Sequence, residues 1–344
     1  MGQIREPRSS QDDGESLSAD SFRMQILHSA LLGVALPSAE YEAMLFAPGT
    51  KYGGNKMKRR QMTRREMLGG LALGSLALKI ARLQAATLGW IKIGACDWTI
   101  GKRTDPTSLQ LAKELGLDGV QVDLGHWKED LPLRKPELQK KYREMAQQTG
   151  VPVASLALGS LNEIPLKADP RAEQWVSDSL DVAKALGVTV VLVPFFGKGD
   201  LRDDKPGTDA VVAALKRVAP RAEKAGVILG LESWLSAEQH VAIIERVGSS
   251  AVRVYYDVGN SQKAGYDIFK EIRWLGKRIC EFHAKDNDDL YGKGSMNFPE
   301  VRQAMADIGY SGWIHIEGTT KPLGPVESTR YDLNYLRGIF KPTA

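Results

Sequence analysis

Glu232, Asp257, His283 and Glu317 are the residues of this chain best placed by type and spacing to act together. Each stands at the end of a short β-rich run: Leu229-Gly230-Leu231-Glu232-Ser233, Tyr255-Tyr256-Asp257-Val258-Gly259-Asn260, Glu281-Phe282-His283-Ala284-Lys285-Asp286 and Ile314-His315-Ile316-Glu317-Gly318. Three carboxylates and one imidazole gathered in one place are costly to desolvate and repel one another unless a cation neutralises them. One His with three carboxylates suits one divalent metal ion, Mn²⁺, Mg²⁺, Co²⁺ or Zn²⁺, with the oxygens favouring the harder ions. A single acid at a strand end also serves to cap the next helix. The recurrence at four successive strand ends is what points to a metal.

The elements that must position these residues are legible from Ile91 onward as one repeated unit: a β-rich run, a polar loop, an amphipathic helix and a glycine. The strands are expected at Ile91–Asp97, Gly119–Leu124, Pro152–Leu158, Thr189–Pro194, Val227–Glu232, Arg253–Val258, Arg278–Lys285 and Trp313–Glu317. Apolar spacing of three and four residues predicts helices over Pro136–Thr149, Arg171–Leu186, Asp209–Ala225 and Ala237–Val247. Gly116, Gly150, Gly187, Gly226, Gly248 and Gly309 are placed to cap helices before the next strand. Strands alternating with helices require parallel pairing and right-handed crossovers. Eight units in about 255 residues match an α/β fold, a single (β/α)₈ TIM barrel over 87–344 whose functional side chains lie at the C-terminal strand ends. An open doubly wound sheet would want a Gly-rich phosphate loop after its first strand, and Cys96-Asp97-Trp98-Thr99-Ile100-Gly101 is not one.

The 344 residues are 43% hydrophobic and 26% charged, an ordinary globular composition. Of 46 basic and 42 acidic residues, twelve and eight fall within 1–86, which leaves 34 of each in the body. A neutral body without a basic run argues against nucleic acid or an anionic membrane as partner. The excess of positive charge lies in a leader. Lys58, Arg59, Arg60, Arg64 and Arg65 precede an apolar run, Leu68 to Leu78, that is too short to remain as a membrane anchor. Thr63-Arg64-Arg65-Glu66-Met67-Leu68 resembles a twin-arginine export motif. The expected organisation is therefore an unassigned upstream segment over 1–56, with Met57 or Met62 as candidate starts, a signal over 57–86 and the barrel. A periplasmic or otherwise extracytoplasmic location follows, without stable membrane insertion once the signal is cleaved. Cys96 and Cys280 fall on non-neighbouring strands and are expected as two buried free thiols.

Over about residues 90–340 the chain resembles the sugar phosphate isomerase/epimerase family with the xylose-isomerase-like barrel. The Glu, Asp, His, Glu order at strands five to eight carries the resemblance, together with Gly292-Lys293-Gly294 after His283. The resemblance implies that Glu232, Asp257, His283 and Glu317 hold a divalent metal, that Glu232 and Glu317 also exchange protons with the substrate, and that Glu238 contacts sugar hydroxyls. A hydrogen on carbon beside a carbonyl is too weakly acidic for a carboxylate unless the enediolate is stabilised, which a divalent metal does. Return of the proton to the same carbon from the other face gives an epimer. Return to the neighbouring carbon interconverts aldose and ketose, and loss of a β-substituent gives elimination. The implied activity is thus a metal-dependent sugar isomerase or epimerase, with a lyase or dehydratase on a 3-keto-sugar or inosose, or a non-catalytic sugar-binding barrel, as alternatives. Two departures argue against a free ketohexose: Asn260 stands where tagatose-type epimerases have His, and Asp289 where they have Arg. Lys285 could supply the missing cation, or it could pair with Asp257, Asp286 or Glu317.

Other residues are weighed by position. Trp98 and Trp234 could stack on a sugar, as could Trp127, Phe195 and Phe196 less directly. His126 could reach substrate from the loop after strand two. Glu281, Arg253 and His315 are expected to form a buried polar network beneath the site. His240, on a helix, is read as incidental. Only one of the five histidines takes a ligand position, which makes the superfamily's histidine-rich, three-zinc DNA-repair endonucleases a poor match. The partner is a small carbohydrate, and aromatic loops could mediate homo-oligomerisation.

Overall fold

The computed structural model describes residues 91–340, and the expected signal and upstream segment lie outside them. Eight strands form a closed parallel barrel in sequence order: β1 Lys92–Cys96, β2 Gly119–Asp123, β3 Val153–Ala157, β4 Val190–Phe195, β5 Ile228–Ser233, β6 Val252–Asp257, β7 Ile279–Ala284 and β8 Trp313–Ile316. Closure is made by β1 against β8, with Ile93 opposite Ile314 and Ala95 opposite Ile316. The principal helices are α1 Thr107–Leu115, α2 Pro136–Thr149, α3 Pro170–Leu186, α4 Lys205–Ala225, α5 Ala237–Val247, α6 Val258–Lys263, α7 Ile268–Leu275, α8 Phe298–Asp307 and α9 Pro325–Phe340. Every expected strand is present within two residues at either end. Helix α4 begins four residues before the expected Asp209, because Asp204 caps it through the Gly207 amide and a proline occupies its first turn.

The strands are buried on both faces, as a barrel sheathed by helices requires. Outward-facing Ile93, Val120, Val122, Val191, Leu229, Val254 and Ile314 join the helices in one large apolar core. Inside the barrel, Ala157, Val190, Leu192 and Tyr255 form a much smaller apolar cluster. The rest of the interior is polar: Gln121, Ser155, Glu281, His283 and His315 are all buried. Room for this layer is made by glycine. A Cβ on Gly94 would lie 2.5 Å from His315 Cδ2, so β1 has no side chain there.

His240 is not incidental. Its ring is buried, accepting from Ser233 Oγ at Nε2 (3.0 Å) and donating from Nδ1 to the Ser236 carbonyl (3.1 Å), and it thereby ties α5 to the end of β5 beside Glu232. Burial lowers this imidazole to about 4. The unfolded chain would titrate it near pH 6.5, so its contribution to stability is intact above that pH and is lost as pH falls towards 4. The linked loss is up to about 3 kcal/mol. Denaturant unfolding at pH 7 and pH 4.5 should therefore show a steeper acid loss in the wild type than in His240→Gln; equal losses would refute the assignment.

Candidate active site

Glu232 at the end of β5, Asp257 at the end of β6, His283 near the end of β7 and Glu317 just past β8 converge on one point. One ligand atom from each lies within 4.8 Å of all the others. Asp257 is fixed by capping α6, its Oδ1 accepting from the amides of Gly259 (2.8 Å) and Asn260 (2.9 Å). That leaves Oδ2 aimed at the cluster. Glu317 Oε1 accepts from the indole Nε1 of Trp98 (3.0 Å), which leaves Oε2 facing the same point. Neither Asp257 Oδ2 nor Glu317 Oε2 receives an aligned hydrogen bond. Lys285 Nζ lies 2.9 Å from the first and 2.5 Å from the second, an ion pair with each. Two buried carboxylate oxygens without an aligned donor, beside an imidazole nitrogen and a third carboxylate, are a donor set that fits a divalent ion.

The orientation of His283 is set from below. Gln121 donates its amide hydrogens to Ser155 Oγ and Tyr255 Oη, both at 3.0 Å, so its Oε1 must accept. It does so from His283 Nε2 at 2.7 Å. Nδ1 is thereby turned to the carboxylates, 2.9 Å from Glu232 Oε1 and 3.4 Å from Glu317 Oε2. With the remote N–H engaged by Gln121, Nδ1 is the nitrogen that faces the cluster and would ligate an ion that displaces its proton. Tyr255 passes the network on to His315 Nδ1 at 2.9 Å, and Glu281 stands 3.5 Å from the same nitrogen. Cys96 Sγ lies 3.3 Å from Gln121 Oε1. Gln121→Leu should weaken Mn²⁺ binding by about 10- to 100-fold in calorimetry, the usual range for an outer-shell partner. An unchanged affinity would mean that the ring is oriented by other contacts.

The charges are graded across the cluster. Burial raises Glu232 to about 7 even with the His283 imidazole opposing it. Burial would raise Glu317 too, but the Lys285 ammonium and His283 overcome it and hold this carboxyl down at about 2. Burial works to lower His283, and the Glu232 and Glu317 carboxylates outweigh it to raise the imidazole to about 9. Burial raises Glu281 to about 8.

Above the cluster lies a cavity of about 380 Å³, lined in part by Trp98, Asn260, Lys263, Lys285, Glu317 and Thr320. Three of the expected substrate-contact residues, Trp98, Asn260 and Lys285, are thus at the site. The other three are not on this cavity. Glu238 is exposed on the first turn of α5 and does not line the cavity. Trp234 packs edge-on against Phe196 at 5.1 Å with the Arg202 guanidinium 4.4 Å above its ring. His126 caps a short turn through the Lys128 amide, with Nε2 3.4 Å from Glu163. Glu281 and His315 join the buried network as expected; Arg253 does not, being half-buried and bonded to the Ser250 carbonyl. Gln121 and Tyr255 were missed as site residues, although a glutamine within the run Gly119-Val120-Gln121-Val122-Asp123 was the available signal. Both cysteines are free, Cys96 buried and Cys280 partly so.

Residues 109–339 match the xylose isomerase-like TIM barrel family. The chain belongs to that family. It is 30% identical over 200 residues to 2-epi-5-epi-valiolone 7-phosphate 2-epimerase of Actinoplanes sp., covering 57% of this chain and 72% of that protein. With the D-psicose 3-epimerase of Enterocloster bolteae it shares 29% identity over 122 residues, 33% of this chain and 40% of the relative. Among solved structures, D-psicose 3-epimerase from Clostridium cellulolyticum, crystallised with D-tagatose, superposes with a TM-score of 0.62 at 19% identity, over 73% of this chain and 99% of that one. The E. coli 3-keto-D-glucoside 4-epimerase superposes with a TM-score of 0.61 at 16% identity, over 72% and 99%. These two likenesses are of fold. Among the described residues no helix is long and apolar enough to cross a membrane.

Proposed function

We propose that this chain is a divalent-metal-dependent epimerase or isomerase of an unphosphorylated sugar or keto-sugar. The observation that carries the reading is the pair Glu232 and Glu317: two carboxyls, one from the end of β5 and one just past β8, brought to one cation-binding cluster with Asp257 and His283. Two carboxyls that reach one point from separate strands can divide the acid and base roles of a proton transfer. When bound, a divalent ion supplies the Lewis acidity that makes a hydrogen beside a carbonyl removable. Glu317, ionised and held in place by the Trp98 indole, takes that proton, and Glu232, arriving from β5, carries one to return. Asn260, Thr319 and Thr320 offer donors and acceptors to hydroxyls in the cavity. The named activities of the curated relatives, a sugar-like phosphate 2-epimerase and a D-psicose 3-epimerase, support the reaction class. The twin-arginine-like leader supports an exported enzyme and hence a substrate without phosphate.

The test is deuterium incorporation in deuterated water. The full chain, stripped of metal and reloaded with Mn²⁺, is offered free ketoses, 3-keto-glycosides and their phosphates. Exchange at a carbon next to the carbonyl, present only with metal, is the expected result. The product then shows whether the proton returns to the same carbon, to its neighbour, or accompanies elimination. Absence of exchange from every keto-sugar by protein that demonstrably holds metal would overturn the proposal.

A further inference from the structure

Lys285 occupies an unusual position for a residue on the rim of a polar cavity. It follows His283 by two residues at the end of β7, and its ammonium turns down into the cluster rather than up into the cavity it helps to line. The two oxygens it contacts, Asp257 Oδ2 at 2.9 Å and Glu317 Oε2 at 2.5 Å, are the two that receive no aligned hydrogen bond from any other group. The ammonium thus offsets part of the charge of the buried carboxylates. An ammonium makes this possible because it is a compact charge on a flexible stem, able to pair without fixed bond directions.

The base of that stem is held by packing and its tip by charge and one long hydrogen bond to Asn260. A Cβ on Gly259 would fall 2.7 Å from Lys285 Cβ and 2.8 Å from Cγ, so the first turn of α6 lies flat against the inner methylene groups. The outer part faces Asn260 Oδ1, 3.4 Å from Nζ, and beyond it the cavity lined by Asn287, Thr319 and Thr320.

We propose that Lys285 is a built-in cation that holds the ligand cluster together until a divalent ion arrives, and that metal loading turns its ammonium into the cavity, where it anchors an oxygen of the substrate. A dication and an ammonium cannot share Asp257 Oδ2 and Glu317 Oε2 at contact distance without strong repulsion between them. The ion therefore competes with Lys285 for those oxygens, and the side chain released by it becomes the donor nearest to them on the substrate side. Binding of substrate by Lys285 is in this way conditional on the metal. The inference rests on the proposed metal-dependent function, and metal uptake is measured in the same samples so that the two can fail separately.

The full chain, chelator-treated or loaded with Mn²⁺, is labelled with acetic anhydride, and the rate at Lys285 is read by mass spectrometry with the exposed Lys140 of α2, which does not line the cavity, as an internal control. Lys285 should be slow without metal and faster by about tenfold with it, the factor that 1.4 kcal/mol of altered access makes. An unchanged or slower rate in protein that has taken up metal would overturn the exchange and leave the metal site standing. Failure to take up any metal would overturn both. Lys285→Met provides a second reading: without its competitor the cluster should bind Mn²⁺ at least about tenfold more tightly by calorimetry. Weaker or equal binding by this variant would contradict competition. Tighter binding combined with unchanged labelling of the wild type would place Lys285 beside the metal throughout and contradict the turn.

Discussion

Glu317→Gln and Glu232→Gln are each expected to slow interconversion of the two epimers by at least about 10³-fold, within the range that general acid–base groups supply. Glutamine keeps the volume of the side chain and can still accept the Trp98 indole hydrogen at position 317, so the fold and the cavity should survive. What is lost is the carboxyl that carries a proton, together with one negative charge of the ligand set, so the variants are assayed at saturating Mn²⁺. Because the two groups divide the work, the variants should differ in what remains. If each glutamate serves one face of the substrate, each variant still washes hydrogen out of one epimer into deuterated water but not out of the other, and the epimer that exchanges should switch between the two variants. Nuclear magnetic resonance of the recovered substrate reads this directly, with metal content checked in the same samples. Retention of full interconversion by either variant holding its metal would remove that glutamate from the reaction.

The second large effect concerns the metal. At a free Mn²⁺ concentration of about 100 times its Kd, a site present only in the folded state adds about 2.7 kcal/mol, which in a domain of about 250 residues raises the melting temperature by roughly 5–10 °C. Asp257→Asn and His283→Ala should abolish this rise. Asparagine is the informative replacement at 257, since its side-chain oxygen can still cap α6 through the Gly259 and Asn260 amides while the charge facing the cluster is gone. A variant that melts like the metal-free wild type yet gains nothing from Mn²⁺ would separate ligation from capping. A full metal-induced rise in Asp257→Asn would mean that this carboxylate is not a ligand.

Much of this molecule is local and was legible as such. Runs of β-branched residues such as Val120, Val122, Val191 and Val193 are buried on both faces of a parallel sheet, and glycines such as Gly150 and Gly187 stop the helices in the left-handed conformation that side chains resist. Eight such units have one closed solution, and closure alone brings four strand ends to one mouth. That is why Glu232, Asp257, His283 and Glu317 could be named as one group from order and spacing. The contacts that give each of them its role were not legible, because they join residues far apart in the chain: Gln121 reaches His283 across 162 positions and Trp98 reaches Glu317 across 219. Which inward side chains meet depends on the tilt and register of strands around the barrel, and no periodicity in one segment reports the register of another. The same reason accounts for Glu238, Trp234 and His126, each near a strand end in sequence but absent from the cavity lining, with Trp234 and His126 engaged by neighbouring side chains. Sequence determined the barrel and its four candidate ligands; only the tertiary structure decided that Gln121 orients the imidazole and that Lys285 lies across the carboxylates, since both depend on where separate strands place their side chains inside the closed sheet.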